Sequence, residues 1–218
     1  MMNPTTLGTE LDLALQPISR ATVPQEDRDW LPVLEGRHVV LRGLRPSDAA
    51  SLHGLLTAPE VTRFVSTPPA TIEAFERFIV KANRQRSGKY ICYAVTLKGS
   101  DTAIGMFQIR ETEPGFQAAE WGFALGSAFW GTGVFKESAQ LILQFVFMTL
   151  GVHRLEARAA VRNGRGGRAL QKMGAVQEGV LRKSFVCNGQ HFDQVLYAIL
   201  KDDWRASREA GQTAVVLH

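Results

Sequence analysis

From Val134 to Met148 the chain is apolar on nearly every side of a helical projection. A helix with almost no polar face cannot sit on a surface, so this segment predicts a helix buried within a larger fold. Glu120 to Leu125 precedes it and reads as a strand; Leu155, Ala157, Ala159 and Val161 follow it and alternate as another. A buried helix joining two strands has to pack against a sheet, which excludes an all-helical bundle.

The other segments extend that sheet. His38 to Leu44 reads as a strand, and Pro46-Ser47-Asp48 opens a helix to about Leu56. Thr71 is a candidate N-cap for a helix carrying Ile72, Phe75, Ile79 and Ala82 at helical spacing. Tyr90 to Leu97, the Lys98-Gly99-Ser100-Asp101 turn and Ile104 to Arg110 read as a hairpin. A short basic helix is expected from Arg165 to Met173, then closing strands near 176–181 and 194–200. The predicted order is β-α-α-β-β-β-α-β-α-β-β, a mixed sheet in an α/β or α+β domain. Residues 1–32 carry Pro4, Pro17, Pro24 and Pro32 without a sustained period, so they read as an arm, free or docked on a partner subunit in a homodimer. The domain is expected over 33–205, with a tail at 206–218.

Cys92 and Cys187 are the only cysteines, too few for a disulfide framework or a cysteine-rich metal site. Both read as inert core thiols, and no metal is expected. The opening residues lack a signal-peptide pattern, and Leu141 to Val152, broken by Gln144, is far short of the ~20 residues of a membrane span. The expectation is a cytoplasmic protein with no membrane partner.

Charge is unevenly placed along the chain. The net charge is +4, yet between His153 and Lys183 eight basic residues stand against only Glu156 and Glu178. Such a block suits an anionic partner, either nucleic acid or a phosphorylated cofactor, or it forms a solvated basic face. Interleaved exposed aromatics and nucleic-acid motifs are lacking, which argues against nucleic acid.

Phe129-Trp130-Gly131-Thr132-Gly133-Val134-Phe135 joins the strand to the buried helix. Backbone amides at a glycine-containing turn, together with the positive end of a helix, suit a pyrophosphate; a plain strand-to-helix turn explains the glycines equally simply. A dinucleotide fingerprint would need glycine at Lys136, and no P-loop occurs anywhere.

The run Glu120-Trp121-Gly122-Phe123-Ala124-Leu125, then Trp130-Gly131-Thr132-Gly133, then Glu137-Ser138-Ala139 resembles the acetyl-CoA signature of the GNAT N-acetyltransferases. More narrowly it is similar to the branch holding the RimJ- and RimL-type ribosomal-protein N-terminal acetyltransferases. Gly151-Val152-His153-Arg154-Leu155-Glu156, Val161-Arg162-Asn163, Lys172-Met173-Gly174-Ala175 and Glu178-Gly179-Val180-Leu181-Arg182 follow in the family's order. The likeness spans about Val33 to Trp204.

The resemblance implies a GNAT-like acyl-CoA N-acyltransferase fold, its mostly antiparallel sheet splayed between the strands at 120–125 and 155–161. It implies acetyl-CoA as acyl donor, held by Phe123, Leu125, Trp130, Gly131, Thr132, Gly133, Val134, Phe135, Asn163 and Arg168. Arg165 and Lys172 would help to meet the phosphates. Asn163 is equally readable as a turn residue after a strand. Glu120 matches a family base, and would alternatively make a structural ion pair.

Where many relatives carry a serine this chain has Gly166, and where other branches use a tyrosine it has Leu170. No side-chain acid for the departing thiolate is therefore evident. His191 and Asp193 could face an acceptor or simply occupy a surface loop. The implied activity is acetyl transfer to a primary amine, either a protein N-terminus or a small amine such as a polyamine, amino acid or antibiotic. A non-catalytic CoA-binding protein is the alternative.

Overall fold

The computed structural model describes residues 31–84, 89–187 and 189–216. In chain order these form β1 (Leu34–Glu35), β2 (Val39–Gly43), α1 (Ala49–Leu56), α2 (Pro59–Thr62), α3 (Ile72–Arg84), β3 (Tyr90–Leu97), β4 (Gly105–Glu111) and β5 (Ala118–Leu125). Then follow α4 (Val134–Gln144), β6 (Arg154–Ala160), α5 (Gly164–Lys172), β7 (Val176–Cys187), β8 (Gln190–Leu200) and α6 (Lys201–Val216). The strands make one eight-stranded sheet in the order β1-β2-β3-β4-β5-β6-β8-β7. Every neighbouring pair is antiparallel except β5 and β6.

Alternation along the central strands supplies two cores. Tyr93, Val95, Phe107 and Trp121 face α4, whereas Cys92, Ala94 and Met106 face α1 and α3. Strand β3 is covered on both sides, so its interior is buried without interruption. Cys92 and Cys187 form no disulfide and are both buried.

Helix α4 departs from the expectation of burial all round. Lys136, Gln140, Gln144 and Met148 form an exposed stripe at four-residue spacing, and the opposite residues enter the core. After Gln144 the helix widens into a π-turn over Phe145–Thr149. Phe145, Val146 and Phe147 are all at most 2% exposed. A regular α-helix turns 100° per residue and would bring at least one of three such neighbours towards solvent unless its surroundings wrapped it.

Other boundaries differ from the sequence reading. Strands β7 and β8 are longer than expected because polar Arg182, Lys183 and Ser184 lie within β7, beside a register shift between Leu181 and Phe185. Lys183 there has φ 50°. Helix α6 runs across the boundary placed at 205, and Trp204 packs on Phe147 with ring centroids 5.2 Å apart. The arm lies outside the described residues except for Leu31 and Pro32; the Pro32 carbonyl accepts from the buried Tyr93 hydroxyl at 3.1 Å.

Candidate active site

Strand β5 pairs with β4 from Ala119 to Leu125, but with β6 only from Ala118 to Glu120. Beyond Glu120 the two parallel strands part, and among the described residues the β6-facing edge of β5 from Trp121 to Leu125 has no strand beside it. Two cavities, of about 650 and 660 Å³, open on the parting. Phe64, Val65, Phe123, Ala124, Asn163 and Gly166 line both.

The first cavity lies over the N-termini of α4 and α5. Gly131 and Gly133 have φ of 78° and 93°, the left-handed region in which a side chain is strained. A β-carbon on either would meet nothing within 4 Å. Gly133 caps α4 without a side chain, and the first helical bond runs from the Glu137 amide to the Gly133 carbonyl at 3.1 Å. The amides of Val134, Phe135 and Lys136 are therefore left without intrahelical acceptors. Glu137 does not compete for them. Its carboxylate accepts the His38 amide at 2.8 Å and lies 3.1 Å from His38 Nδ1. Burial pushes the Glu137 carboxyl up, but these contacts outweigh it and hold the group below its ordinary range.

The basic block is divided by the fold. Arg154 is consumed by Glu156 and Glu178, both at 2.9 Å, and lies outside the cavity. Arg162, Arg165, Arg168 and Lys172 line it, joined by Arg63 and Lys136, against Glu60, the single acid in the lining among the described residues. Glu60 accepts the Ser127 hydroxyl at 2.7 Å, which holds its carboxyl below the usual range. Among the described residues Lys136, Arg162, Arg168 and Lys172 have no carboxylate partner. The Arg165 guanidinium lies 4.3 Å from the centre of the Trp130 ring, whose indole N–H donates to the Leu125 carbonyl at 3.0 Å.

The sequence-derived set falls largely on this cavity. Phe123, Leu125, Trp130, Gly131, Gly133, Phe135, Asn163 and Arg168 line it. Val134 sends its side chain into the core, so only its amide is available. Thr132 donates its hydroxyl to the Phe129 carbonyl at 2.7 Å and does not line the cavity. Asn163 is the N-cap of α5, its Oδ1 accepting the Gly166 amide at 2.9 Å. Arg63, Phe64 and Val65 were missed, because the four-residue α2 before them carries no readable period. The Cys187 thiol, 3.8 Å from the carbonyls of Thr62 and Val65, packs the end of β7 against that segment.

The second cavity is aromatic, with Phe64, Phe75, Phe78, Tyr90 and Phe185 in its lining. Burial raises the Tyr90 phenol well above its ordinary value, so that hydroxyl stays protonated. Among the described residues Glu120 is the only carboxylate in its lining. One oxygen, Oε2, is bonded by Arg110 across β4, and the other, Oε1, lies 3.9 Å from Arg158 Nε on β6. His191 and Asp193 line neither cavity, and Asp193 Oδ1 accepts the Lys183 amide at 2.7 Å. Among the described residues no three His, Cys, Asp or Glu side chains cluster as a metal site, and no helix is long and apolar enough to cross a membrane.

Comparison with known proteins decides the family. Residues 38–176 match the acetyltransferase (GNAT) domain family. The chain belongs to the GNAT acetyltransferase family. A putative ribosomal N-acetyltransferase of Bacillus subtilis is 23% identical over 175 residues, covering 78% of this chain and 96% of that protein. A ribosomal-protein alanine N-acetyltransferase of Escherichia coli is 29% identical over 93 residues, 43% of this chain and 48% of its own. Among solved structures, a putative acetyltransferase from T. thermophilus aligns with TM-score 0.70 and 30% identity, covering 85% of this chain and 97% of its own. A RimL-type ribosomal-protein α-N-acetyltransferase solved with coenzyme A shares the fold at TM-score 0.71 and 18% identity, covering 79% and 99%. This GNAT chain is an N-acetyltransferase, and its splayed mixed sheet with flanking helices is the GNAT fold.

Proposed function

We propose that this N-acetyltransferase takes acetyl-CoA as its donor in the cation-lined cavity and acetylates a primary amine that enters through the aromatic one. The observation that carries this reading is the meeting of two chemically opposite cavities at Phe123, Ala124, Asn163 and Gly166, where β5 and β6 part. The residues fit the donor. Free amides at the start of α4, two open glycine positions and cations without carboxylate partners suit a pyrophosphate and a 3′-phosphate.

In this reading the amides of Val134, Phe135 and Lys136 hold the pyrophosphate, while Arg168 and its neighbours Arg162 and Lys172 neutralise the phosphates. The free edge of β5 at Phe123 to Leu125 aligns the extended arm as a partner strand would. The Asn163 carbonyl oxygen is spent on the α5 cap, which leaves its amide group to donate into the cavity. Bound there, the donor supplies an acetyl group already activated as a thioester.

An amine is protonated at neutral pH and must lose a proton before it can attack. Glu120 Oε1 receives that proton: Arg110 engages only the other oxygen, and Arg158 stands beyond hydrogen-bond length. Gly166 has no side chain, and Leu170 is 2% exposed in the core, so neither protonates the departing thiolate. A thiol has a free pKa of roughly 8.5, so the thiolate departs without a side-chain acid and takes its proton from water. The likeness to ribosomal-protein acetyltransferases supports a protein N-terminus as acceptor. Calorimetry with acetyl-CoA, followed by thiol release across peptides and small amines, tests the proposal. Cofactor binding without turnover of any amine would favour a non-catalytic CoA-binding protein.

A further inference from the structure

The charges of the aromatic cavity do not suit an acceptor whose only charge is positive. Glu120 stands there with two guanidiniums, Arg110 and Arg158, so the three together carry an excess positive charge. Among the described residues no further acid lines the cavity. Glu156 on β6 and Glu178 on β7 are both taken by Arg154 outside it. Arg110 bonds Glu120 Oε2 through Nη2, with its side chain 57% exposed. Arg158 is the less engaged of the two, its Nε lying 3.9 Å from Glu120 Oε1 and its side chain 37% exposed.

The strand geometry makes this pair a fork. Glu120 is the last residue of β5 in register with β6, opposite Glu156. Arg158 lies two residues further along β6, hence on the same face, at the point where the strands diverge. An acceptor entering between the strands meets a carboxylate on one side and a guanidinium on the other, a few ångströms apart.

We infer that the acceptor carries a carboxylate close to its reacting amine, and that Arg158 recognises this group while Glu120 Oε1 holds the amine. This inference rests on the acetyl-transfer reading and names its substrate class. The aromatic lining adds a preference for an apolar body beside the charged pair. A polyamine would bring only positive charge to an already positive floor. The chemistry admits two sources, a free apolar α-amino acid or a peptide end with an acidic residue beside the N-terminus.

The test uses acceptors paired with and without the carboxylate and compared per concentration of free amine: phenylalanine against phenylalaninamide, and a tetrapeptide amide with aspartate against one with asparagine at its second position, with spermidine as the cationic comparison. Wild-type protein is expected to prefer the carboxylate member of at least one pair by about tenfold or more in kcat/KM, the scale of one charge-assisted hydrogen bond. The pair that shows the preference identifies the source. In Arg158→Gln the ratio should fall to about one through KM, and Arg158→Lys should restore part of it. Calorimetric titration of the same acceptors into the CoA-bound protein reads the preference as affinity, independently of turnover. Failure of the acetyl-transfer reading would show as release of thiol with none of the amines, whereas this inference would still be decided by affinity. Equal treatment of both members of both pairs, a preference that survives in Arg158→Gln, or spermidine as the best acceptor would overturn it.

Discussion

The donor cavity draws its chemistry from two short stretches of chain. One is the turn from Trp130 to Lys136, where glycines and a helix start present backbone amides; the other runs from Arg162 to Lys172, where cations recur along α5. The acceptor cavity is gathered from side chains between Leu56 and Gln194, contributed by α1, α3, β3, β4, β5, β6, α5, β7 and β8. Backbone-built sites tolerate side-chain drift but not a change in glycine, whereas a site made of scattered side chains can be retuned one residue at a time. Damage to the first should therefore appear in cofactor affinity, and damage to the second in kcat or acceptor choice.

The largest effect should come from breaking the backbone cradle. Gly131→Val with Gly133→Val forces β-branched residues into left-handed conformations, at ~1–3 kcal/mol each, and places methyl groups in the space above the free amides. Acetyl-CoA binding should be lost by calorimetry, with the far-ultraviolet circular dichroism of the sheet retained. A folded double variant that binds normally would remove the cradle from the donor site.

Next in size is Glu120→Gln, which should lower kcat by about a hundredfold or more, the scale of general-base catalysis. Acetyl-CoA affinity should barely change, because Glu120 lines only the acceptor cavity. An unchanged kcat in that variant would reduce Glu120 to an ion-pair anchor for Arg110.

The same contrast explains how much was legible before the structure. Apart from α2, the order of strands and helices from β2 to β8 followed from periodicity, and the residues of the cation-lined cavity were marked by a resemblance whose motifs run together in sequence. Val134 and Thr132 show the limit of that reading: a motif locates the turn but not which atoms of it face the cavity. The roof at Arg63 to Val65 was invisible, since a four-residue helix has no period and its place depends on packing against the end of β7. Glu120 was found from its match to a family base. Its partners Arg110 and Arg158 come from strands on either side, and only the pairing register brings them together. Likewise residues 206–216 of α6 were read as a tail, Trp204 being the last large apolar residue before the boundary placed at 205.

A smaller effect is expected from a single cation. Arg168→Ala should weaken acetyl-CoA by about ten- to a hundredfold, the worth of one charge-assisted contact to a phosphate. Because the group is electrostatic, the loss should shrink as salt is raised. Acceptor KM should stay close to that of the wild type. If affinity held while acceptor KM rose, the assignment of the two cavities would have to be exchanged.

The smallest effect concerns Gly166, which lines both cavities and stands where the family resemblance implies a serine. A β-carbon here would lie 2.6 Å from Asn163 Nδ2 and 3.0 Å from its Cγ. That side chain is not free to swing away without cost, since its Oδ1 caps α5 through the Gly166 amide itself. Gly166→Ser therefore trades a new acid for a disturbed cap, worth about 1 kcal/mol at a helix N-terminus. The expected outcome is a Tm lower by a few degrees and acetyl-CoA affinity reduced by a few-fold, with no gain in kcat. A rise of more than about tenfold in kcat, at unchanged stability, would mean that thiolate departure limits the natural enzyme and that the cap yields easily. The glycine would then be a deficit of the acceptor side rather than a requirement of the donor side.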